Sequence, residues 1–259
     1  MRPLGAVLTI LVALGLSHAS TAEAFVREVV DTNPSQPLFW QNRTIELRVA
    51  GATSADLTAP QVVEAVRDSA NTWSDPGCTD VQVVVGPPPA GQDTSLTTGT
   101  GDGENRIIWR EDEWPADPEA LAITTLVYSR STGQILDADI DVNGVDYGWT
   151  ADGAPLVIND AQNTLTHEIG HLLGFAHAPD PTATMFGASG PGDVQKRDLA
   201  VDDENGVCEV YPAGLPTPQG GGRGGGLEGT CSAAGPATLW PLLVAFLLLG
   251  RSVRRRRER

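Results

Sequence analysis

His167-Glu168-Ile169-Gly170-His171-Leu172-Leu173-Gly174-Phe175-Ala176-His177 sets three imidazoles and one carboxylate at spacings that suit a metal ion. On a helix, residues four apart share a face and lie about 6 Å apart along the axis, so His167 and His171 can reach one ion. A continuous helix would carry position 177 away. Gly174 can adopt the left-handed conformation that ends a helix and turns the chain, which returns His177 as a third ligand. A zinc ion held by three protein ligands keeps a fourth position for water and lowers that water's pKa from about 15.7 towards about 7. Glu168 is then placed to accept the proton without being a ligand. The reading from the residues is a zinc hydrolase with metal ligands His167, His171 and His177 and general base Glu168.

Composition supports a site over an ordinary amphipathic helix. The chain has four histidines, and His18 lies in a segment that reads as a removed leader, so every other histidine belongs to this motif. The only methionine besides Met1 is Met185, shortly after His177. The extended pattern with Gly174, His177 and a downstream Met is far more specific than HExxH alone.

Residues His167 to Met185 resemble the metzincin metallopeptidases, whose pattern is HExxHxxGxxH followed by a Met-turn, and within that clan the matrixins in a bacterial form. The resemblance extends from about Leu38 to Tyr211, through Trp40, Trp73, Trp109, the Asp137-Ala138-Asp139-Ile140 strand and Leu199-Ala200-Val201-Asp202-Asp203. It implies an α+β fold with a mixed twisted sheet and packed helices, and a zinc endopeptidase acting on extracellular or surface proteins. It also implies that Met185 forms an apolar floor under the imidazoles, and that an edge strand between Ala122 and Val142 pairs with extended substrate. Gly187 stands where astacins and serralysins carry a zinc-shell Tyr, so no such ligand is expected. The His ligands of the matrixin structural zinc have no counterparts, so no second zinc is expected. A catalytically silent surface-binding domain on the same fold is the alternative, and loss of Glu168 would have been its sign.

Residues 1–24 carry Arg2, an apolar run from Leu4 to Leu16 and small residues ending at Ala24, the pattern of a secretory signal. A folded metallopeptidase domain is expected over 25–211, followed at 212–230 by a Pro- and Gly-rich tether. Residues 231–259 hold Cys231, an apolar segment and an arginine cluster from Arg251 to Arg259, resembling a myxobacterial-type sorting or membrane-anchor tail. A secreted or cell-surface location follows, with membrane contact through that tail and a monomeric domain. The formal net charge is −16 despite those arginines, which argues against a nucleic-acid partner and leaves protein or peptide substrates.

Along the domain, Thr44–Val49 reads as the first strand, Thr58–Trp73 as the first helix, and Val81–Val85 and Arg106–Trp109 as strands. Ala122–Tyr128 and Ile135–Val142 flank a Gly-containing turn and read as a hairpin. Asn159 or Asp160 caps the metal-site helix to about Leu173, and a last helix covers Ala200–Val210. Asp137, Asp139 and Asp141 alternate with apolar residues, which gives a strand with one acidic face; a calcium loop needs Gly where Val142 stands. The resemblance still allows structural calcium on some of these carboxylates. Cys78 and Cys208 are expected to pair as a disulfide, against the rival reading of Cys78 as a thiolate latch on the zinc. Asp180 and Asp202 or Asp203 are candidates for orienting the ligands or the Met-turn.

Overall fold

The computed structural model describes residues 25–50, 54–89, 101–153 and 159–218. The expected leader, the tail from 231 and most of the tether fall outside those residues. Among these described residues nine strands and three α-helices follow in chain order. They are β1 Val26–Arg27, β2 Val29–Val30, β3 Asn33–Pro37, β4 Thr44–Ala50, α1 Ala59–Ser74, β5 Gln82–Val85, β6 Asn105–Arg110, β7 Ala122–Tyr128, β8 Ile135–Asn143, α2 Ala161–Leu172, β9 Phe175–Ala176 and α3 Val201–Val210. The architecture is α+β, with a five-stranded mixed sheet in the order β5-β4-β6-β8-β7.

The helix and strand patterns explain the core. α1 opens with Pro60 in its first turn, where a missing N–H is harmless, and Gln61 Oε1 accepts the Thr58 N–H at 3.0 Å. Its apolar stripe buries Val62, Ala65, Val66, Ala70 and Trp73. The stripe meets α2, since the Trp73 indole donates to the Thr166 carbonyl at 2.7 Å and the Ser69 hydroxyl to that of Gln162 at 3.2 Å. β4 runs parallel to β5 and β6, and β6 parallel to β8. β7 returns antiparallel along β8, so it stands at the edge of the sheet. That settles which strand of the hairpin is the outer one.

Thr44–Val49 is not the first strand. Three short strands precede it, two residues each in β1 and β2 and five in β3. β2 and β3 pair antiparallel with each other, whereas the pairing of β1 is imposed by a distant partner: it lies antiparallel to β9, just after α2. Two-residue strands carry too few side chains to show a period.

From Asp137 onward β8 is buried on both faces. Ala138, Ile140 and Val142 enter the core, while Asp137, Asp139 and Asp141 are at most 1% exposed on the other side. The acidic face is therefore covered. Asp139 Oδ1 accepts the Arg106 N–H at 2.8 Å, Asp137 Oδ2 accepts that of Asp102 at 3.2 Å, and Asp141 pairs with Arg110 at 2.5 Å. Burial, more than these neighbours, pushes the Asp139 pKa up to about 7.

Cys78 and Cys208 are joined across a separation of 130 residues, tying α3 to the segment after α1. Cys78 is thus taken up in a bond to Cys208 and carries no free thiolate, which removes the latch reading. Described contacts also run past residue 211: the Ala213 N–H meets the Cys78 carbonyl at 2.9 Å, and the Gly214 N–H meets Asp80 at 2.9 Å. Replacing both cysteines by serine is expected to lower unfolding free energy by about 2–5 kcal/mol, because so long a loop loses much closure entropy when cross-linked. Urea denaturation of the oxidised parent and the double variant measures this; coincident midpoints would contradict it. Among the described residues no helix is long and apolar enough to cross a membrane.

Candidate metal centre

α2 carries two of the imidazoles on one buried face. Its first turn is fixed by Asp160, whose Oδ1 accepts the Asn163 N–H at 2.8 Å while its carboxylate also pairs with Arg197. Of the two expected caps, Asp160 serves; the Asn159 amide donates instead to the Gly148 carbonyl. The helix stops where Gly174 takes φ +90°. A Cβ there would lie 2.9 Å from the Leu38 carbonyl oxygen, so both conformation and space demand glycine. β9 then runs along β1 and delivers His177.

His167, His171 and His177 come together with one potential ligand atom each, all within 4.8 Å of one another. The outer ring nitrogens of two are occupied. His167 Nδ1 lies 2.7 Å from the Thr184 carbonyl and His171 Nδ1 2.7 Å from the Phe175 carbonyl. A carbonyl oxygen only accepts, so each Nδ1 bears the hydrogen and each Nε2 keeps its lone pair for a metal. Burial drives the His171 pKa down to about 3 and holds His167 well below its usual value, which keeps both rings neutral. His177 is the exposed member. Neutral imidazoles with fixed tautomers are the donor set that zinc takes.

The turn around Met185 lies beneath. Met185 is 1% exposed, and its backbone N–H and that of Thr184 bond to the two carboxylate oxygens of Asp203 at 3.1 and 2.6 Å. Asp203 therefore orients the turn, and through the Thr184 carbonyl it acts on His167. Asp202 accepts the Phe25 N–H instead, and Asp180 serves its own turn through Thr182. Gly170 is why Met185 fits: a Cβ there would meet its Sδ at 2.1 Å and the Trp73 ring at 2.7 Å. Gly170→Ala gains up to about 1 kcal/mol in helix propensity. Overpacking of a rigid core costs about 1–3 kcal/mol, and with Trp73 fully buried the second effect should win. A lower melting temperature is expected, and a higher one would contradict this packing.

Glu168 is 6% exposed, and its Oε2 accepts the Thr124 hydroxyl at 2.6 Å. Burial raises its pKa to about 7, against the lowering effects of Thr124 and Lys196. Thr124 lies on β7, so the edge strand and the carboxylate are coupled. Two residues of this neighbourhood escape sequence reading. Thr124 sits in an unremarkable alternation. Lys196, in a 3-10 turn at Gln195–Arg197, is only 3% exposed, with its pKa lowered to about 8 by burial. One signal was available, since it is the only lysine in the chain.

Residues 109–212 match the family described as Matrixin, Peptidase_M10. That stretch runs from β6 past α3 and contains all three histidines. Human matrilysin is 37% identical over 100 residues, covering 39% of this chain and 35% of that protein. Metalloendoproteinase 1-MMP of Arabidopsis thaliana is 40% identical over 67 residues, 24% of this chain and 18% of that protein. Human matrix metalloproteinase-27 is 41% identical over 71 residues, 27% of this chain and 13% of that protein. The aligned part thus spans about a third or less of these relatives' length.

Proposed function

We propose that this protein is a matrixin-like zinc endopeptidase, with His167, His171 and His177 as ligands and Glu168 as general base. The observation that carries the proposal is the convergence of three neutral imidazoles, two with their outer nitrogens already bonded, beside a buried carboxylate held by Thr124. Bound zinc would polarise the scissile carbonyl and lower the pKa of a water. Glu168 takes the proton from the attacking water and returns it to the departing amine. The Thr124 hydroxyl orients the carboxylate. β7, unpaired on its outer side within the five-stranded sheet, offers backbone groups to an extended peptide. Asp203 holds the floor of the site rigid through the Met185 turn.

The domain acts outside the cytoplasm in this proposal, exported by residues 1–24 and displayed through the tail from Cys231, with peptides and proteins as substrates. The test is cleavage of a mixed peptide library by the purified protein. Internal cuts should appear, stop on chelation and return with zinc. A zinc-loaded protein that cuts nothing would instead mark a silent binding domain.

A further inference from the structure

Lys196 puts a cation at the outer edge of His167, beside the Thr184 carbonyl that is the usual kind of partner for a metal-binding histidine. The 3-10 turn that carries it is docked on the first turn of α2, where the Lys196 N–H donates to Asn163 Oδ1 at 2.9 Å and Arg197 pairs with Asp160. From there the side chain runs inward. Its ammonium donates to the Phe186 carbonyl and stands 3.5 Å from His167 Nδ1. That nitrogen already gives its hydrogen to Thr184, and an ammonium has no lone pair, so no hydrogen bond joins the two groups. They interact through charge.

Among the described residues no carboxylate lies within ion-pair distance of Lys196; Glu168, Asp193 and Asp203 act on it from farther away. Burying an ammonium is expensive. A neutral amide could donate to Phe186 without that cost, so the positive charge itself calls for an explanation. We propose that Lys196 is a positioning residue of the metal centre, whose ammonium acts through His167 to loosen the metal and make it a stronger Lewis acid. The inference rests on the zinc reading above. A cation beside the outer edge of His167 draws electron density away from Nε2 and repels a dication on the far side of the ring. The metal is held less tightly and withdraws more from the groups it binds. The same lysine also ties the Phe186 carbonyl, at the exit of the Met185 turn, to α2, so charge and geometry are set by one side chain.

The two effects are separable by the sign of a metal-affinity change. Zinc affinity of the full chain is measured by competition with a chromophoric chelator at neutral pH, for the parent, Lys196→Gln, Lys196→Met and Lys196→Arg. Melting of the metal-free proteins shows which are folded. Outer partners of ligating histidines shift metal affinity about 10- to 100-fold, so the Gln variant, which keeps a donor for Phe186, should hold zinc tighter by about that factor. Met should follow in the same direction and Arg should match the parent, while kcat on a peptide falls in Gln and Met with little change in KM. Folded Gln and Met variants that hold zinc as loosely as the parent, or more loosely, would overturn the proposal and leave Lys196 a structural tie. A parent chain that binds no zinc would fail at the earlier step and refute the metal reading itself.

Discussion

Glu168→Gln is expected to keep the parent's zinc content while kcat falls by about 100- to 10,000-fold. The residue does not share the cluster of ligand atoms, which comprises the three histidines, so the ion is not held by it. Its carboxylate is buried and fixed by the Thr124 hydroxyl, a contact an amide oxygen can also accept. The substitution therefore removes the proton acceptor and little else. A second consequence concerns stability. In the metal-free protein the Glu168 pKa is raised to about 7, so the folded state holds a proton that the unfolded chain releases near its ordinary value of 4.5. The parent's stability should fall as pH rises from that value through about 7, and the Gln variant should not share that loss. The variant's melting temperature is expected to match the parent's near pH 4 and exceed it near pH 8. Parent-level turnover would remove Glu168 from the mechanism, and an equal gap in melting temperature at both pH values would contradict its elevated pKa.

His177→Ala is expected to weaken zinc binding by more than about 100-fold, beyond the range for partners outside the ligand set. Peptidase activity should vanish with it. His177 is the right ligand to remove because it is the exposed member, while His167 and His171 are packed inside α2 and their loss would confound metal binding with folding. The cross-link between Cys78 and Cys208 and the core around Trp73 do not depend on His177, so the variant should melt like the metal-free parent. Calorimetric titration with zinc decides the matter. Near-parent affinity would mean a different ligand set.

Local pattern made the centre of the fold legible. His167 and His171 sit at helical spacing, Gly174 marks a turn that only glycine can make against Leu38, and α1, β7, β8 and α3 all lie within a residue or two of their expected spans. What escaped depends on partners far along the chain. β1 exists because β9 lies beside it, and β7 is the outer strand because β8 pairs with β6, neither of which two or seven residues can reveal. Asp202 and Asp203 are neighbours in sequence, yet the phase of α3 sends one to the Phe25 N–H and the other beneath Met185. Lys196 looks like a solvated residue between Gln195 and Arg197 and becomes part of the centre only when its turn docks on Asn163. Gly170 reads as an ordinary helix interruption until Met185 is seen to fill the space its missing side chain leaves.

X-ray absorption at the zinc edge, on the full chain loaded with one equivalent of zinc, reads the ligand set directly. A three-histidine site gives a four-coordinate shell of light atoms at about 2.0–2.1 Å, with the outer-shell scattering of three imidazoles and one oxygen from water. A sulfur shell at about 2.3 Å, fewer than three imidazoles, or failure to take up zinc at all would contradict it.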